Sequence, residues 1–378
     1  MSSIRPMERG DLEAVASLYE RVVRSGARAP AAGLPQWFER TLFESPWSDP
    51  SIPSLVALDD RQEVIGALCS HVRHLRIAGQ PARLAVSGQL VVAPEARDRA
   101  FGARLLRSYL NGPQQLTITD GATQVVRGMW ERLGGDAAAL QCLEWWRPLR
   151  PWRSATAAWE RRRGRALSGG LSRAADMLDG ATLPLLRREA RRRGAPWQVD
   201  QGRAPRIEKL TSAALLAQLP AITRHLRLAP DYDAGFAEWL LAELSAVNTR
   251  GELRARLVSR ADGTPLGYFI YYLVAAGISA VIAVAAPDEL TGGAVLDALL
   301  SEARAAGAAA LYGRVEPRLL RPLAERHAIF RYAGGALVHA SEPAIAMLAT
   351  SRHALLTRLE GEWWMAPHLA GPVPAPTQ

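Results

Sequence analysis

Cysteine and lysine are almost absent from this 378-residue chain: only Cys69, Cys142 and Lys209 occur. Two cysteines cannot build a disulfide framework, and no Cys/His cluster stands at metal-ligand spacing, so no metal is expected and a reducing cytoplasm fits best. The opening MSSIRPMERGDLEAV lacks the apolar core of a secretory signal, so secretion is not expected. One uncharged run is long enough to span a bilayer, residues 266–286 between Pro265 and Pro287. Its first half is aromatic and β-branched, its second alternates Ile278, Val281, Ile282 and Val284, and Ala276-Gly277 interrupts it. Two strands joined by a tight turn are therefore expected, with a transmembrane segment as the alternative.

What is there is mostly globular: 48% hydrophobic and 22% charged residues, in a chain longer than the ~250–300 residues at which one core stops growing. Two domains follow. The net charge of +9 is local, because residues 147–206 hold 15 arginines against 5 acids, a net of +10. That stretch reads as a solvated basic connector. A nucleic-acid role would want aromatic platforms beside the charge, and only Trp152, Trp159 and Trp197 are available, so no nucleic-acid partner is expected.

Periodicity predicts a strand at 3–7, helices from Asp11 and over 34–44, strands at 54–58, 63–77 and 83–92, a helix to about Leu110, a strand at Leu116, a helix over 123–133 and a last strand near 140–146. After the connector the pattern restarts: a strand at 206–210, helices over 212–226 and 232–246, strands at 252–260 and in 266–286, a helix over 294–306, a strand at 309–315, a helix over 317–327 and short strands near Phe330 and Leu337. Pro94 precedes Leu105 by 11 residues and Pro287 precedes Leu299 by 12, so the chain reads as two diverged copies of one domain. The expected boundaries are 1–148, a helical connector at 149–204, a second domain at 205–368 and a disordered tail at 369–378. Aromatic clusters, EWW at 144–146 and GEWW at 361–364, end the two copies and read as packing.

The most informative stretch is LVVAPEARDRAFGARLL, residues 90–106. An apolar strand runs into a short turn that opens a helix, aiming backbone N–H groups outward at the positive end of the helix dipole, a cradle for an anion. The spacing Arg97-Asp98-Arg99-Ala100-Phe101-Gly102 resembles the R/Q-x-x-G-x-G/A pyrophosphate loop of the GNAT superfamily of acyl-CoA N-acyltransferases, with Ala100 replacing the first glycine. LTITD at 116–120 and MWERLGG at 129–135 resemble the family's following strand and closing motif. The resemblance implies an α/β (α+β) fold of two GNAT-like domains, each a mixed, mostly antiparallel sheet flanked by helices, joined by the Arg-rich connector.

It also implies acetyl-CoA or another acyl-CoA as cosubstrate and an amine-bearing acceptor that attacks directly. Leu90, Val91 and Val92 would pair with the pantetheine arm, and Arg97, Asp98, Arg99, Ala100, Phe101, Gly102 and Ala103 would hold the pyrophosphate. Thr123 stands where the family often has Asn. Trp130 occupies the place of the usual thiolate-protonating tyrosine, and an indole N–H has no accessible acidity. Candidates for a base are Asp120, His71 and His74, although Asp120 could merely cap the next helix. The second copy lacks arginines at its corresponding turn and adds Asp288 and Glu289, so the first copy is expected to carry the cosubstrate. The rival reading is a non-catalytic acyl-CoA-binding or scaffold protein.

Overall fold

The computed structural model describes residues 3–24, 27, 29–163, 169–192 and 205–365. The expected tail at 369–378, Trp197 and part of the basic connector lie outside the described residues. Along the chain the elements are β1 (Ser3–Pro6), α1 (Leu12–Tyr19), α2 (Leu34–Leu42), β2 (Leu55–Leu58), β3 (Val64–Ile77), β4 (Gln80–Val92), α3 (Phe101–Leu110), β5 (Leu116–Thr119), α4 (Gln124–Arg132), β6 (Asp136–Ala137) and β7 (Leu143–Pro148). Then come α5 (Pro151–Arg163), α6 (Gly169–Arg192), β8 (Arg206–Lys209), α7 (Ser212–Thr223), β9 (Leu228–Pro230), α8 (Ala234–Ala246), β10 (Glu252–Ser259), β11 (Pro265–Leu273) and β12 (Ile278–Ala285). The chain closes with α9 (Glu289–Ala305), β13 (Ala310–Arg314), α10 (Leu320–Glu325), β14 (Ile329–Tyr332), β15 (Leu337–His339) and α11 (Pro343–Ala349).

These elements form two compact units, and neither is one continuous stretch. The first takes the described residues of Met1–Ala139, Leu226–Leu240 and Gly334–Gln378; the second takes those of Leu140–His225 and Leu241–Ala333. In the first unit the sheet order is β1-β2-β3-β4-β5-β15-β6, with β9 added to β3. Every pairing there is antiparallel except β4 with β5. Its hairpin β3–β4 turns on Ala78 and Gly79, both at positive φ (50° and 83°), the two-residue turn whose twist matches the strands. Leu84, Val86, Leu116, Ile118 and Val338 join in one buried cluster on this sheet.

The second unit repeats the order as β8-β10-β11-β12-β13-β7-β14, again with one parallel pair, β12 with β13. The apolar run 266–286 forms β11 and β12, buried antiparallel strands. Among the described residues no helix is long and apolar enough to cross a membrane.

One strand of each sheet departs from the expected order. The strand expected to close the first copy, β7, pairs instead with β13 and β14, and β15, expected in the second copy, lies between β5 and β6. Side-chain volume explains the preference of β7. Trp145 registers against Gly313 of β13, where a β-carbon would come within 3.0 Å of the indole nitrogen. No glycine exists on β5, whose four residues Leu-Thr-Ile-Thr are all buried, and β15 registers there with Leu337 opposite Thr119 and Val338 opposite Ile118.

Candidate functional site

The parallel register of β4 with β5 stops at Val86 and Ile118. Beyond it, Ser87 to Val92 pair with β3 alone among the described strands, so the opposite edge of β4 carries N–H and C=O groups with no strand to receive them. A bulge sits in that half: Gln89 and Leu90 together oppose Leu68, because the register jumps from Cys69↔Gly88 to Ala67↔Val91. After Val92 the chain makes a 3₁₀ turn over Pro94–Arg99, and Ala100 then adopts the left-handed conformation, φ 56° and ψ 23°, to start α3. Ala100 is the residue standing where the family spacing has a glycine, and the backbone keeps the glycine-like shape.

No side chain caps α3, and its first intrahelical bond is Arg104 N–H to Ala100 O at 3.0 Å. The amides of Phe101, Gly102 and Ala103 are therefore the unsatisfied donors of the helix start. The buried Phe101 ring carries the Arg99 and Arg104 guanidiniums at 5.0 and 4.9 Å from its centroid, which fixes positive charge beside those amides. Arg97 and Asp98 are exposed on the turn. Gly102 is not required by the chain's own packing, since an added β-carbon would meet Met129 Sδ at 3.5 Å and Val92 Cγ2 at 3.6 Å, ordinary contacts.

The corresponding turn of the second unit is closed. Asp288 caps α9, its Oδ1 accepting from Thr291 N–H at 2.8 Å, so a carboxylate already occupies the positive helix end. Gly292 and Gly293 have packing reasons: a β-carbon would meet Leu319 Cδ2 at 3.1 Å in one case and Arg326 Nη2 at 2.9 Å in the other. Arg326 is itself held by Asp297 at 2.6 Å.

Of the other expected site residues, Thr123 caps α4, accepting from Val126 N–H at 3.4 Å, and its own O–H remains a donor. Trp130 is fully buried and donates its indole N–H to the Val338 carbonyl of β15 at 2.9 Å. Gly135 lies directly against that indole, leaving no room for a side chain. His74 is exposed and stacks on Trp47 at 4.4 Å between ring centroids. His71 is 2% exposed, and neither ring nitrogen has a hydrogen-bond partner in good geometry among the described residues; the Gln89 side chain of the bulge and the Thr41 backbone stand nearest. Burial, reinforced by the Arg73 charge, pushes its pKa down to about 3.

Asp120 does not cap α4. Its Oδ1 accepts from the backbone N–H groups of Glu362 (3.0 Å) and Trp363 (2.8 Å). Glu362 reciprocates, accepting from the N–H groups of Asp120 (3.0 Å) and Gly121 (2.9 Å) and from the Thr119 hydroxyl. Burial first, and the adjacent Asp120 carboxylate second, hold the Glu362 carboxyl well above the usual carboxylate range. The same C-terminal segment places Glu360 against Tyr232 and against Thr357 N–H (2.6 Å), and Met365 Sδ against the buried Arg73 guanidinium (2.9 Å). Sequence reasoning missed Arg73, Tyr232, Glu360 and Glu362. The available signal was the mixture of Leu, Trp and Met with charged residues inside LTRLEGEWWM, too apolar for a tail packed on nothing.

No family model and no curated protein matches the sequence. Solved structures do match in fold. A probable N-acyltransferase of unknown function from Enterococcus faecalis aligns over 93% of this chain and 74% of its own, at 11% identity and a TM-score of 0.56. A GCN5-related N-acetyltransferase from Kribbella flavida aligns over the same shares at 16% identity and a TM-score of 0.55. The Saccharomyces cerevisiae N-myristoyltransferase, solved with myristoyl-CoA, aligns over 90% of this chain and 79% of its own at 12% identity and a TM-score of 0.50. At such identities the likeness is one of fold, and it agrees with the splayed β4–β5 pair and two repeated sheet orders: the chain has the fold of the GNAT superfamily, as two mixed, mostly antiparallel α/β units.

Proposed function

We propose that the chain is an acyl-CoA-dependent N-acyltransferase whose first unit holds the cosubstrate. The observation that carries this reading is the sequence of an unpaired β4 edge, a left-handed Ala100 and an uncapped α3, against the Asp288-capped α9 of the other unit. Backbone groups of Leu90, Val91 and Val92 would pair with the amides of a pantetheine arm. The amides of Phe101 to Ala103, with Arg97 and Arg99, would receive the pyrophosphate, and the missing side chain at Gly102 lets the backbone approach it. The Thr123 hydroxyl has a donor left for the same ligand. When bound, acyl-CoA supplies an activated thioester carbonyl.

Direct attack by an amine requires that a proton leave nitrogen and that another reach the departing sulfur. Trp130 cannot give one, since its N–H is committed to Val338. At the end of β5, burial and the adjacent Asp120 raise the Glu362 carboxyl above the usual range, and we assign proton handling to this pair. His71, desolvated and kept neutral, and His74, exposed, are the remaining candidates for a base.

Acetyl-CoA and longer acyl-CoAs should raise the melting temperature, and Arg97→Ala should weaken that binding about tenfold, the loss of one charge-assisted contact. Absence of any shift would remove the cradle. The second reading, a binder without catalysis, is favoured by Trp130 alone. Release of free thiol from acyl-CoA with a panel of amines decides between them.

A further inference from the structure

The arginine excess of residues 147–206 has no part in the proposed chemistry, and among the described residues part of it, Arg161, Arg162, Arg163 and Arg173, is exposed on two helices. Helices α5 and α6 form a hairpin in the second unit. Asp179 of α6, buried, accepts from the N–H groups of Trp152 and Arg153 at 2.9 Å each, so one helix caps the other. Arg153 Nε further binds the Ala276 carbonyl at 3.0 Å and Ser154 Oγ the Ala309 carbonyl at 2.6 Å, which anchors α5 on the sheet.

This anchoring turns Ser154 and Ala157 inward and leaves a stripe of Trp152, Ala155, Trp159, Arg162 and Arg163 outward, the i, i+3, i+7, i+10, i+11 spacing of one helical face. Trp152 is 46% and Trp159 44% exposed, and the Arg163 guanidinium lies over the Trp159 ring. No acid interrupts the stripe. On α6, Leu171, Met177 and Leu178 are exposed beside Arg173 and Asp176.

We propose that the α5–α6 hairpin docks on an anionic phospholipid bilayer, with Trp152 and Trp159 entering the headgroup layer and Arg162 and Arg163 meeting lipid phosphates. Two indoles and two guanidiniums on one rigid stripe suit an interface that is apolar on one side and negatively charged on the other. A nucleic-acid surface would engage the arginines but leave the exposed Leu171, Met177 and Leu178 without a role.

The test is co-sedimentation of the full chain with vesicles of equimolar phosphatidylglycerol and phosphatidylcholine, against pure phosphatidylcholine. Binding should require phosphatidylglycerol, weaken with salt, and be accompanied by a blue shift of tryptophan fluorescence. The double variant Trp152→Ser, Trp159→Ser should lower it about tenfold or more, and Arg162→Gln with Arg163→Gln should reduce both the binding and its salt dependence. Each variant alters exposed side chains only, so melting temperature and acetyl-CoA binding should be unchanged. Equal binding to both vesicle types, full binding by the tryptophan double variant, or tighter binding of duplex DNA that needs the arginines and not the tryptophans would overturn the proposal.

Discussion

Asp120 and Glu362 each hold the other's backbone: the carboxylate of one accepts from the N–H of the other, in both directions, across 242 positions of sequence. The arrangement clasps the C-terminal segment to the end of β5 and places two acids side by side in a buried site. Burial first and Asp120 second raise the folded pKa of Glu362 above its unfolded value. Its contribution to stability is then full below the unfolded carboxylate pKa and is lost as pH rises through the raised value. Glu362→Gln, neutral at every pH, should flatten the decline in melting temperature on the alkaline side. An unchanged pH profile would show that the pair does not share a proton in the folded chain. If the pair handles protons in turnover, the same variant should also lower kcat with little change in KM for acyl-CoA.

Asp120→Ala acts differently, because it strands the buried N–H groups of Glu362 and Trp363. A loss of about 2–4 kcal/mol is expected for two unsatisfied donors, measured by chemical denaturation. Faster amide exchange should be confined at first to residues 355–365 and the β5–α4 turn.

Much of this fold was legible. Strands β3, β4, β11 and β12 announced themselves by β-branched and aromatic residues, and the break at Ala276 separated two strands from one span, as its φ of 55° bears out. Ala100 was legible as the residue standing in a glycine's place, but the left-handed turn it adopts was not read from the sequence, because an alanine side chain carries no signal for positive φ. The exchange of β7 and β15 was not, because strand pairing depends on side-chain volume across the sheet, and the Trp145–Gly313 fit joins residues far apart in sequence. Glu362 was hidden for the same reason: a carboxylate's role follows from the donors folded around it, and all three of its donors lie at Thr119 to Gly121.

Ala100 offers a test of backbone shape without chemistry. Ala→Gly usually costs stability through the greater freedom of the unfolded chain, by roughly 0.4–1 kcal/mol. At φ 56° the strain relieved on the folded side, of order 1 kcal/mol, should cancel or exceed that cost. Ala100→Gly is therefore expected to be neutral to slightly stabilising, whereas the β-branched Ala100→Val should cost about 1–3 kcal/mol. Equal losses from both would mean that Ala100 does not hold this conformation in solution.

Trp130 should behave as a structural residue. Trp130→Phe removes the donor to Val338 O and some of the volume packed against Gly135, for an expected cost of about 2–4 kcal/mol. Hydrogen exchange should accelerate at Leu337 to His339, the strand that this bond ties down, while acyl-CoA affinity stays within about twofold of the parent. A fall in affinity as large as that from Arg97→Ala would place the indole against the ligand instead.

His71 makes a prediction of the opposite sign to Glu362. Its pKa is pushed down to about 3 by burial and by Arg73, whereas the unfolded imidazole titrates near 6.5. The folded chain thus binds fewer protons than the unfolded one at mildly acid pH. The stability that neutral His71 permits is complete above the unfolded pKa and drains away as pH falls from about 6.5 toward the folded value. The melting temperature should fall between neutral and acid pH, and His71→Asn should reduce that fall at some cost to stability at neutral pH. The imidazole resonances of His71 should not titrate between pH 8 and pH 5, by contrast with an ordinary surface histidine. A midpoint near 6.5 would show that the ring reaches water and can exchange protons with an incoming amine.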